Sequence, residues 1–490
     1  MRLLSSGARD APPRQQTLRA ALAWSHQLLT PEEQCVFRRL GVFAGSFALE
    51  FAQQALADDS LDAWTVLDHL GSLVDKSLVI AEGAAVPRYR LLETARAFAL
   101  EQLDAAGEAE ALRAGHAAAL RVAWQVHEID GLCMPSIDWQ ERLLPDLDNL
   151  RAALHWACAD RRRVELAAAL LAHSMRFWLG VGLAAEARRW ALVLRPWCED
   201  DDGKAGHAFA IVAAMLAVYN DEAFPPALAI TRLEAALMHA GSDPVRQFLM
   251  LHISYVLCLR IDPKGDRSAL LARMRALEAR GWSELLVRFR QMDEAQEDYL
   301  AGRTERYLAF CRADRALCLR LGAVSETWVT ARHIMLAEYQ ADRREVAFAV
   351  GRQLFDDVRA AGRVRQNDVT LAIWMWMAAE AGDVADARRA FKELLPILRG
   401  EHALWRAGLT LAWLAVHAGR GEAAAHILGW YDAMVAEVGQ GVHGPASERS
   451  RQALLQRLEA ALGVEASAAA RAAGAALDEN AVLALAPATD

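Results

Sequence analysis

The sequence predicts a mainly α-helical protein in which one small β-hairpin interrupts the helices near the amino terminus. Alanine, the strongest helix former, makes up about a fifth of the 490 residues. Apolar side chains recur at spacings of three and four residues along most of the chain, as on the buried face of a helix. In the second half, polar turns at residues 302, 342, 382 and 420 lie about 40 residues apart, which is typical of repeated helical pairs.

Composition and charge narrow the classes of function. A hydrophobic fraction of 54% excludes a largely disordered chain, and the length predicts two to four domains. The net charge of −9 argues against electrostatic binding of the whole chain to nucleic acid or to an anionic membrane, although it allows a local basic patch.

The sequence predicts a cytoplasmic protein with no membrane partner. Its seven cysteines are an odd number and form no C-x-x-C pair, which argues against a disulfide scaffold and fits a reducing compartment. The first ten residues lack the apolar core of a signal peptide. The longest apolar run covers residues 208–219, whereas a membrane-spanning helix needs about 20 residues.

Apolar spacing and start signals predict four helices in the first 76 residues. Residues 17–29 form the first, and Thr30-Pro31-Glu32-Glu33 is a start signal for the second, with Thr30 as N-cap. A third helix is predicted at residues 48–57. The fourth runs from about residue 62 to residue 74, with an apolar stripe composed of Trp64, Leu67, Leu70 and Val74.

The pattern then changes to that of a hairpin followed by a helix. Residues 78–80 are rich in β-branched side chains, and residues 88–92 alternate in polarity after a loop that contains Gly83 and Pro87. A helix follows and ends near Gly107. Helices, a hairpin and a further helix are the order of a winged-helix domain, which we assign to residues 17–107.

No strand is predicted beyond Gly107. The clearest helical pair covers residues 371–397, and its small residues allow close packing against neighbouring pairs. We therefore predict an α-solenoid of TPR-like helical pairs over residues 108–465. An Ala-rich tail at residues 466–490 is expected to be partly frayed.

Several ordered motifs resemble a known family. Residues 14–21, 37–47, 73–79 and 88–94 are similar to the segments that follow the nucleotide-binding module in bacterial STAND-type regulators, the AfsR-like and "predicted ATPase" proteins. Residues 148–154 look like the start of the helical-repeat domain of these proteins. The resemblance is strong over residues 10–160 and weaker over the repeats.

The resemblance implies a modular signalling protein. The family order is an optional DNA-binding domain, an ATPase, a winged helix and a TPR-like sensor. Against that order, this chain is expected to be the C-terminal half of such a regulator without the P-loop ATPase module, and residues 1–16 a remnant of that module's C-terminal segment.

Catalytic motifs are absent from the sequence. A P-loop requires G-x-x-x-x-G-K-[ST], but Gly203-Lys204 is followed by Ala205 and preceded by Cys198 at the first glycine position. Neither a G-x-S-x-G elbow nor an H-E-x-x-H zinc motif occurs. We therefore predict that the chain is not an enzyme, with no catalytic residue, cofactor site or metal site.

The winged helix is predicted to contact protein rather than DNA. Residues 1–107 carry 10 Lys/Arg against 13 Asp/Glu, and residues 62–76 hold three aspartates against Lys76 alone, whereas DNA-binding surfaces are basic. If this domain does contact nucleic acid, the wing residues Arg88, Arg90 and Arg96 are the candidates.

The fifteen tryptophans raise the question of a ligand groove in the repeats. Trp374, Trp405 and Trp413 are candidate groove aromatics, although packing between helices accounts for most tryptophans in such a fold. We expect signal sensing and protein interaction, with an effector or protein partner in the repeat groove and a separate ATPase module as a further partner. Two alternatives stay open: a stand-alone DNA-binding regulator and a TPR-type scaffold.

Overall fold

The computed structural model describes residues 13–58, 61–83, 87–219, 223–239, 241, 243–278, 281–400, 403–438 and 445–486. Within them the chain forms helices and three short strands, which confirms the predicted mainly α class. The chain divides into two compact units. The winged-helix unit comprises residues 1–128, 140–175 and 190–209, and the repeat unit comprises residues 129–139, 176–189 and 210–490.

The elements of the first 133 residues are α1 (Pro13–Gln27), α2 (Pro31–Leu40), β1 (Phe47–Ala48), α3 (Leu49–Leu56), α4 (Ala63–Asp75), β2 (Ile80–Glu82), β3 (Arg88–Arg90), α5 (Glu93–Ala105) and α6 (Ala109–Cys133). Next come α7 (Ser136–Leu143), α8 (Leu147–Ala157), α9 (Val164–Gly180), α10 (Ala184–Cys198) and α11 (Lys204–Val218).

The remaining helices are α12 (Pro226–Leu237), α13 (Pro244–Ile261), α14 (Ser268–Leu277), α15 (Glu284–Leu300), α16 (Thr304–Arg320), α17 (Val324–Gln340), α18 (Arg344–Ala360), α19 (Asp368–Ala381), α20 (Val384–Gly400), α21 (Gly408–His417), α22 (Gly421–Val438), α23 (Pro445–Leu462), α24 (Val464–Gly474) and α25 (Glu479–Leu485). The inner wall described below is built mainly from the odd-numbered helices of this series.

The three strands form one small antiparallel sheet in the order β1-β3-β2. The predicted hairpin is β2-β3, with Ala81 opposite Tyr89, and β1 joins its other edge, with Phe47 opposite the same Tyr89. Strand β1 was not predicted from the sequence, because a strand of two residues is too short to show an alternating pattern.

Local start signals were predicted correctly at α2. Thr30 Oγ1 accepts a hydrogen bond from the amide of Glu33 at 3.2 Å, and Glu33 Oε2 accepts one from the amide of Thr30 at 2.9 Å. This is the reciprocal capping box that the residue spacing indicated. At α4, Asp62 Oδ1 accepts from the amides of Trp64 and Thr65, so Asp62 is the N-cap there.

The predicted apolar stripe of α4 was partly wrong. Trp64 is 75% exposed, and the fully buried side chains are Val66, Leu70 and Leu73. Both sets follow helical spacing, and they share Leu70. The structure buries the set that includes Val66, which leaves Trp64 on the opposite side of the helix.

The compact unit that contains the predicted winged-helix domain also includes residues beyond 107. The side chain of Asn149 in α8 accepts hydrogen bonds from the amides of Ala44 and Gly45, at 2.9 and 3.3 Å, and donates to the carbonyl of Ser46 at 2.8 Å. These bonds give hydrogen-bond partners to the backbone groups of the turn before β1, and they join α8 to the same compact unit.

The repeat unit shows a 20-residue period. Helices α15 to α18 each have 17 residues and start at positions 284, 304, 324 and 344. Each intervening turn contains one residue with positive φ, at Gly302, Gly322 and Asp342. The following amide bonds back across the turn, as from Arg303 to the carbonyl of Asp298 at 2.8 Å, which is the Schellman ending of a helix. The predicted turns at 302 and 342 are therefore confirmed.

The described part of the predicted tail, which ends at residue 486, is packed rather than frayed. Helices α24 and α25 lie against the core of the repeat unit, where Val482 is fully buried. A Cβ atom added at Gly429 of α22 would lie 2.0 Å from the carbonyl oxygen of Arg471 in α24. The small residues that suggested a tail instead permit this close approach of helices.

Candidate functional site: a cavity on the inner wall of the repeat unit

A cavity of about 500 Å³ lies within the repeat unit. Its walls come from the first helices of successive pairs, α13, α15, α17, α19 and α21, with further residues from α16, α22 and α23. Its volume lies in the range of small-molecule sites. The aromatic residues that line it are Tyr255, Tyr299, Tyr307, Trp376, Trp405 and Tyr431.

Aliphatic side chains supply most of the remaining wall. They come from five different helices and include Leu259, Met292, Leu336, Ile373 and Leu409. Val329 and Val369 also line the cavity, and they are 37% and 41% exposed. The cavity is therefore apolar over most of its surface and accessible at these two valines.

One polar network crosses this apolar wall. Arg332 Nη2 lies 3.2 Å from His333 Nε2, and His333 Nδ1 is hydrogen-bonded to the hydroxyl of Tyr307. Arginine can only donate, so Nε2 accepts and a neutral His333 carries its proton on Nδ1. Nδ1 then donates to Tyr307, whose hydroxyl donates to Gln296 Oε1 at 3.5 Å.

Burial and the neighbouring arginines set the protonation of this network. Burial lowers the pKa of His333 well below its ordinary value, and the positive charge of Arg332 is the second cause. His333 is therefore neutral near pH 7. Burial also lowers the pKa of the Arg332 guanidinium, and it raises the pKa of the Tyr307 hydroxyl. Tyr307 is therefore neutral near pH 7, and Arg332, since a guanidinium stays protonated in proteins, is the charged member of the network.

The other charged groups on the wall have partners. His252 Nδ1 lies 2.7 Å from Asp293 Oδ2, and burial raises the pKa of this aspartate. Arg406 forms an ion pair with Asp368. Arg332 differs, because no ion pair joins it to a carboxylate in the described part of the chain.

The structure separates the three predicted groove tryptophans. Trp405 lines the cavity. Trp374 and Trp413 were wrongly expected there: Trp374 is fully buried against Gly351, and Trp413 Nε1 donates to Ser450 Oγ at 3.0 Å inside the core. Trp376 lines the cavity instead, because two residues along a helix turn the side chain by about 200°.

Arg332 and His333 were not predicted from the sequence, although a signal was present. Residues 329, 332, 333 and 336 line the cavity from α17, and residues 369, 372, 373 and 376 line it from α19. Each set has the spacing of one helix face, and the two sets are 40 residues apart. Projecting the repeat period onto a helix face would have placed Arg332 on the inner wall.

The three wing arginines are held by partners within the winged-helix unit. Arg88 pairs with Asp146 and donates to Ser46 Oγ at 2.9 Å, and Arg90 Nε lies 2.8 Å from Glu82. Arg96 donates to the carbonyl of Phe43 at 2.6 Å. The structure therefore does not present the three predicted residues as a free basic patch for nucleic acid.

The exposed side of α4 is acidic and aromatic. Trp64, Asp68 and Asp75 are exposed there, while Lys76 forms an ion pair with the buried carboxylate of Glu33. A helix that reads the major groove usually presents Arg, Lys, Asn or Gln. The surface of α4 suits a protein contact better than a phosphate backbone.

The described residues show neither a metal-binding cluster nor a membrane-spanning helix. No group of three or more His, Cys, Asp or Glu side chains there is arranged to hold a metal ion. In the same part of the chain, every helix is too short or too polar to cross a bilayer.

Fold and sites together define a helical protein with an amino-terminal winged helix and a repeat unit that encloses a cavity. Residues 29–104 match a family described as a winged helix-turn-helix domain, which confirms that domain.

Relatives of the chain are named as regulators. It is 42% identical over 197 residues to "Putative HTH-type transcriptional regulator Rv0890c" of Mycobacterium tuberculosis (strain ATCC 25618 / H37Rv) and to "Putative HTH-type transcriptional regulator Mb0914c" of Mycobacterium bovis (strain ATCC BAA-935 / AF2122/97). Each match covers 39% of this chain but only 21% of the relative, so the similarity spans about a fifth of the relatives' length.

One solved structure is similar to the chain over most of its length. It is the Signal Transduction ATPase with Numerous Domains (STAND) protein with a tetratricopeptide repeat sensor PH0952 from Pyrococcus horikoshii. The match has 12% identity and a TM-score of 0.46, and covers 95% of this chain and 66% of that one.

Proposed function

We propose that this chain is the signal-sensing part of a STAND-type transcriptional regulator, in which the repeat unit binds a small effector. The observation that carries the proposal is the cavity of about 500 Å³ on the inner wall of the repeats, with six aromatic side chains. A pocket of this size with few polar groups suits a small organic molecule better than an extended protein segment.

The winged helix has a relaying role in this proposal. Its exposed α4 surface is acidic, and its wing arginines already have partners within the unit. We therefore assign it a protein contact, with an ATPase module in the AfsR-like arrangement as the partner. The chain itself acts in the cytoplasm by binding and performs no catalysis.

The test is retention of small molecules by the intact chain. The purified protein is equilibrated with a deproteinised small-molecule extract of the cells that make it, and bound species are detected by native mass spectrometry. The wild-type chain is expected to retain a compound of defined mass. Val369→Trp should retain at least tenfold less, because Val369 lines the cavity and is exposed enough to accept a larger side chain.

Val464→Trp is the matched control, since Val464 is 66% exposed at the start of α24 and is not a lining residue. It should retain as much compound as the wild type. Equal retention by the wild type and Val369→Trp, or no retained compound in any variant, would contradict effector binding in this cavity.

A further inference from the structure

We propose that the cavity selects an organic anion, a carboxylic acid with an apolar or aromatic body, and that Arg332 binds its carboxylate. This inference rests on the proposed function and adds the chemical class of the effector. It comes from the position of Arg332, which has no ion-pair partner among the described residues, in a wall that is apolar over most of its surface.

Arg332 lacks the charge partner that neighbouring arginines have. In the same unit, Arg288 Nε lies 2.7 Å from Asp314 Oδ1, and Arg406 pairs with Asp368. Within the described residues, the hydrogen bonds of Arg332 go to neutral groups, His333 Nε2 at 3.2 Å and Thr370 Oγ1 at 3.5 Å. A partly buried cation without an anion is unfavourable, and a bound carboxylate would remove that cost.

The guanidinium group of Arg332 has more N–H donors than the hydrogen bonds that it forms within the described residues. It carries five N–H groups, and two hydrogen bonds are formed to protein atoms in the described residues. Two of the remaining donors could bind both oxygens of one carboxylate, which is the strongest geometry for this pair. His333 keeps its side of the guanidinium fixed by accepting through Nε2.

The other charges on the wall do not compete for this role. Asp293 is hydrogen-bonded to His252, and Asp368 forms an ion pair with Arg406, so neither carboxylate is free to bind a ligand cation. Among the described residues, Arg332 is the arginine on the wall that forms no ion pair. A cationic effector would meet Arg332 without a free carboxylate to bind.

The remaining wall defines the body of the ligand. Trp376 and Trp405 offer indole surfaces, and Leu336 and Ile373 offer aliphatic ones. These groups recognise an apolar or aromatic body and provide little for a sugar or a polyphosphate to bond. A single carboxylate on such a body matches Arg332, which forms no ion pair within the described residues.

The experiment compares acids with their uncharged amides on the full chain. The probes are phenylacetate, 4-phenylbutyrate, indole-3-butyrate, octanoate and decanoate, each paired with its primary amide. Binding is measured by calorimetry and by the change in tryptophan fluorescence. At least one acid should bind the wild type tenfold or more tightly than its amide.

Two substitutions at one position separate charge from shape. Arg332→Gln should weaken the bound acid about 10- to 100-fold, as expected for charge-assisted hydrogen bonds, and should change amide affinity less than twofold. Arg332→Lys should retain part of the acid affinity. Arg273→Gln, on an exposed face of α14, should behave as the wild type.

Each result gives a decision. Equal binding of acids and amides, unchanged in Arg332→Gln, would overturn the anion preference while leaving effector binding intact. If no acid in the panel binds the wild type at millimolar concentration, the inference is also overturned. Circular dichroism of Arg332→Gln checks that lost binding does not reflect lost folding, and Arg332→Lys supplies the same decision should Arg332→Gln not fold.

Discussion

The two units of the chain use arginine in different ways. In the winged-helix unit, Arg39 bonds to Glu108 and to Asp58, and Arg88 bonds to Asp146. In the repeat unit, Arg288 is likewise paired, but Arg332 faces a cavity with no carboxylate partner in the described residues. A count of basic residues cannot distinguish these cases. An arginine is available to bind a ligand only if no carboxylate of the protein already pairs with it.

This difference changes where recognition is expected. The wing carries the basic residues that a nucleic-acid contact would need, yet their hydrogen bonds serve the fold. The wall of the cavity carries few charged side chains, and one of them, Arg332, forms no ion pair within the described residues.

The buried pair of the repeat unit should be indispensable. Asp314 is 1% exposed at its side chain, bonds to Arg288 at 2.7 Å and accepts from Thr330 Oγ1 at 2.8 Å. Asp314→Ala would leave Arg288 buried without an anion, and should destabilise the unit by about 3–5 kcal/mol. Chemical denaturation followed by circular dichroism measures this loss.

The control for Asp314 is Glu284→Ala. Glu284 pairs with Arg320 where both side chains are more than half exposed, so its loss should destabilise the unit far less than the loss of Asp314. Similar losses for the two variants would show that burial does not decide the strength of these pairs.

Glu33 should stabilise the winged-helix unit in a pH-dependent way. Hydrogen bonds from Lys76 and Ser72 lower the pKa of Glu33 to about 2 from its ordinary 4.5. Because the folded pKa is depressed, the stabilisation is complete above pH 4.5 and is lost as pH falls towards 2. Glu33→Gln should cost about 1–3 kcal/mol near pH 7 and progressively less in acid.

Native-state hydrogen exchange of amides in α2 and α4 measures the Glu33 effect within its own unit. The comparison is made between wild type and Glu33→Gln at pH 3, 5 and 7. A difference that stays constant over this range would contradict the role of the charged carboxylate.

The wing should show the smallest effect. Arg90 pairs with Glu82 at a partly exposed site, so Arg90→Ala should change stability by less than about 1 kcal/mol. In fluorescence anisotropy with a labelled 25-base-pair duplex at low salt, wild type and Arg90→Ala should both show no saturable binding. The opposite result would be saturable binding by the wild type, with a slope of log affinity against log salt concentration that is smaller by about one in Arg90→Ala. That result would identify a DNA-contacting wing.

The sequence predicted those features that depend on neighbouring residues. The capping box at Thr30 and Glu33 and the turns at Gly302 and Asp342 are local patterns, and the structure contains them. Trp64 was misplaced because two overlapping apolar sets satisfy helical spacing, and only tertiary packing selects between them.

The cavity was predicted only in part, for a related reason. Trp405 was identified by residue type, but Trp374 and Trp413 have the same type and lie in the core. Which helix face becomes the inner wall is decided by the stacking of successive pairs. Arg332 became recognisable only once that face, and the absence of a neighbouring carboxylate among the described residues, were known.

The most direct test of the account is the position of a bound acid. A crystal structure of the chain with the tightest-binding carboxylic acid should place both carboxylate oxygens about 2.7–2.9 Å from guanidinium nitrogens of Arg332. The apolar body should lie against Trp376 and Trp405. An acid bound outside the cavity, or inside it with its carboxylate away from Arg332, would contradict the central claim.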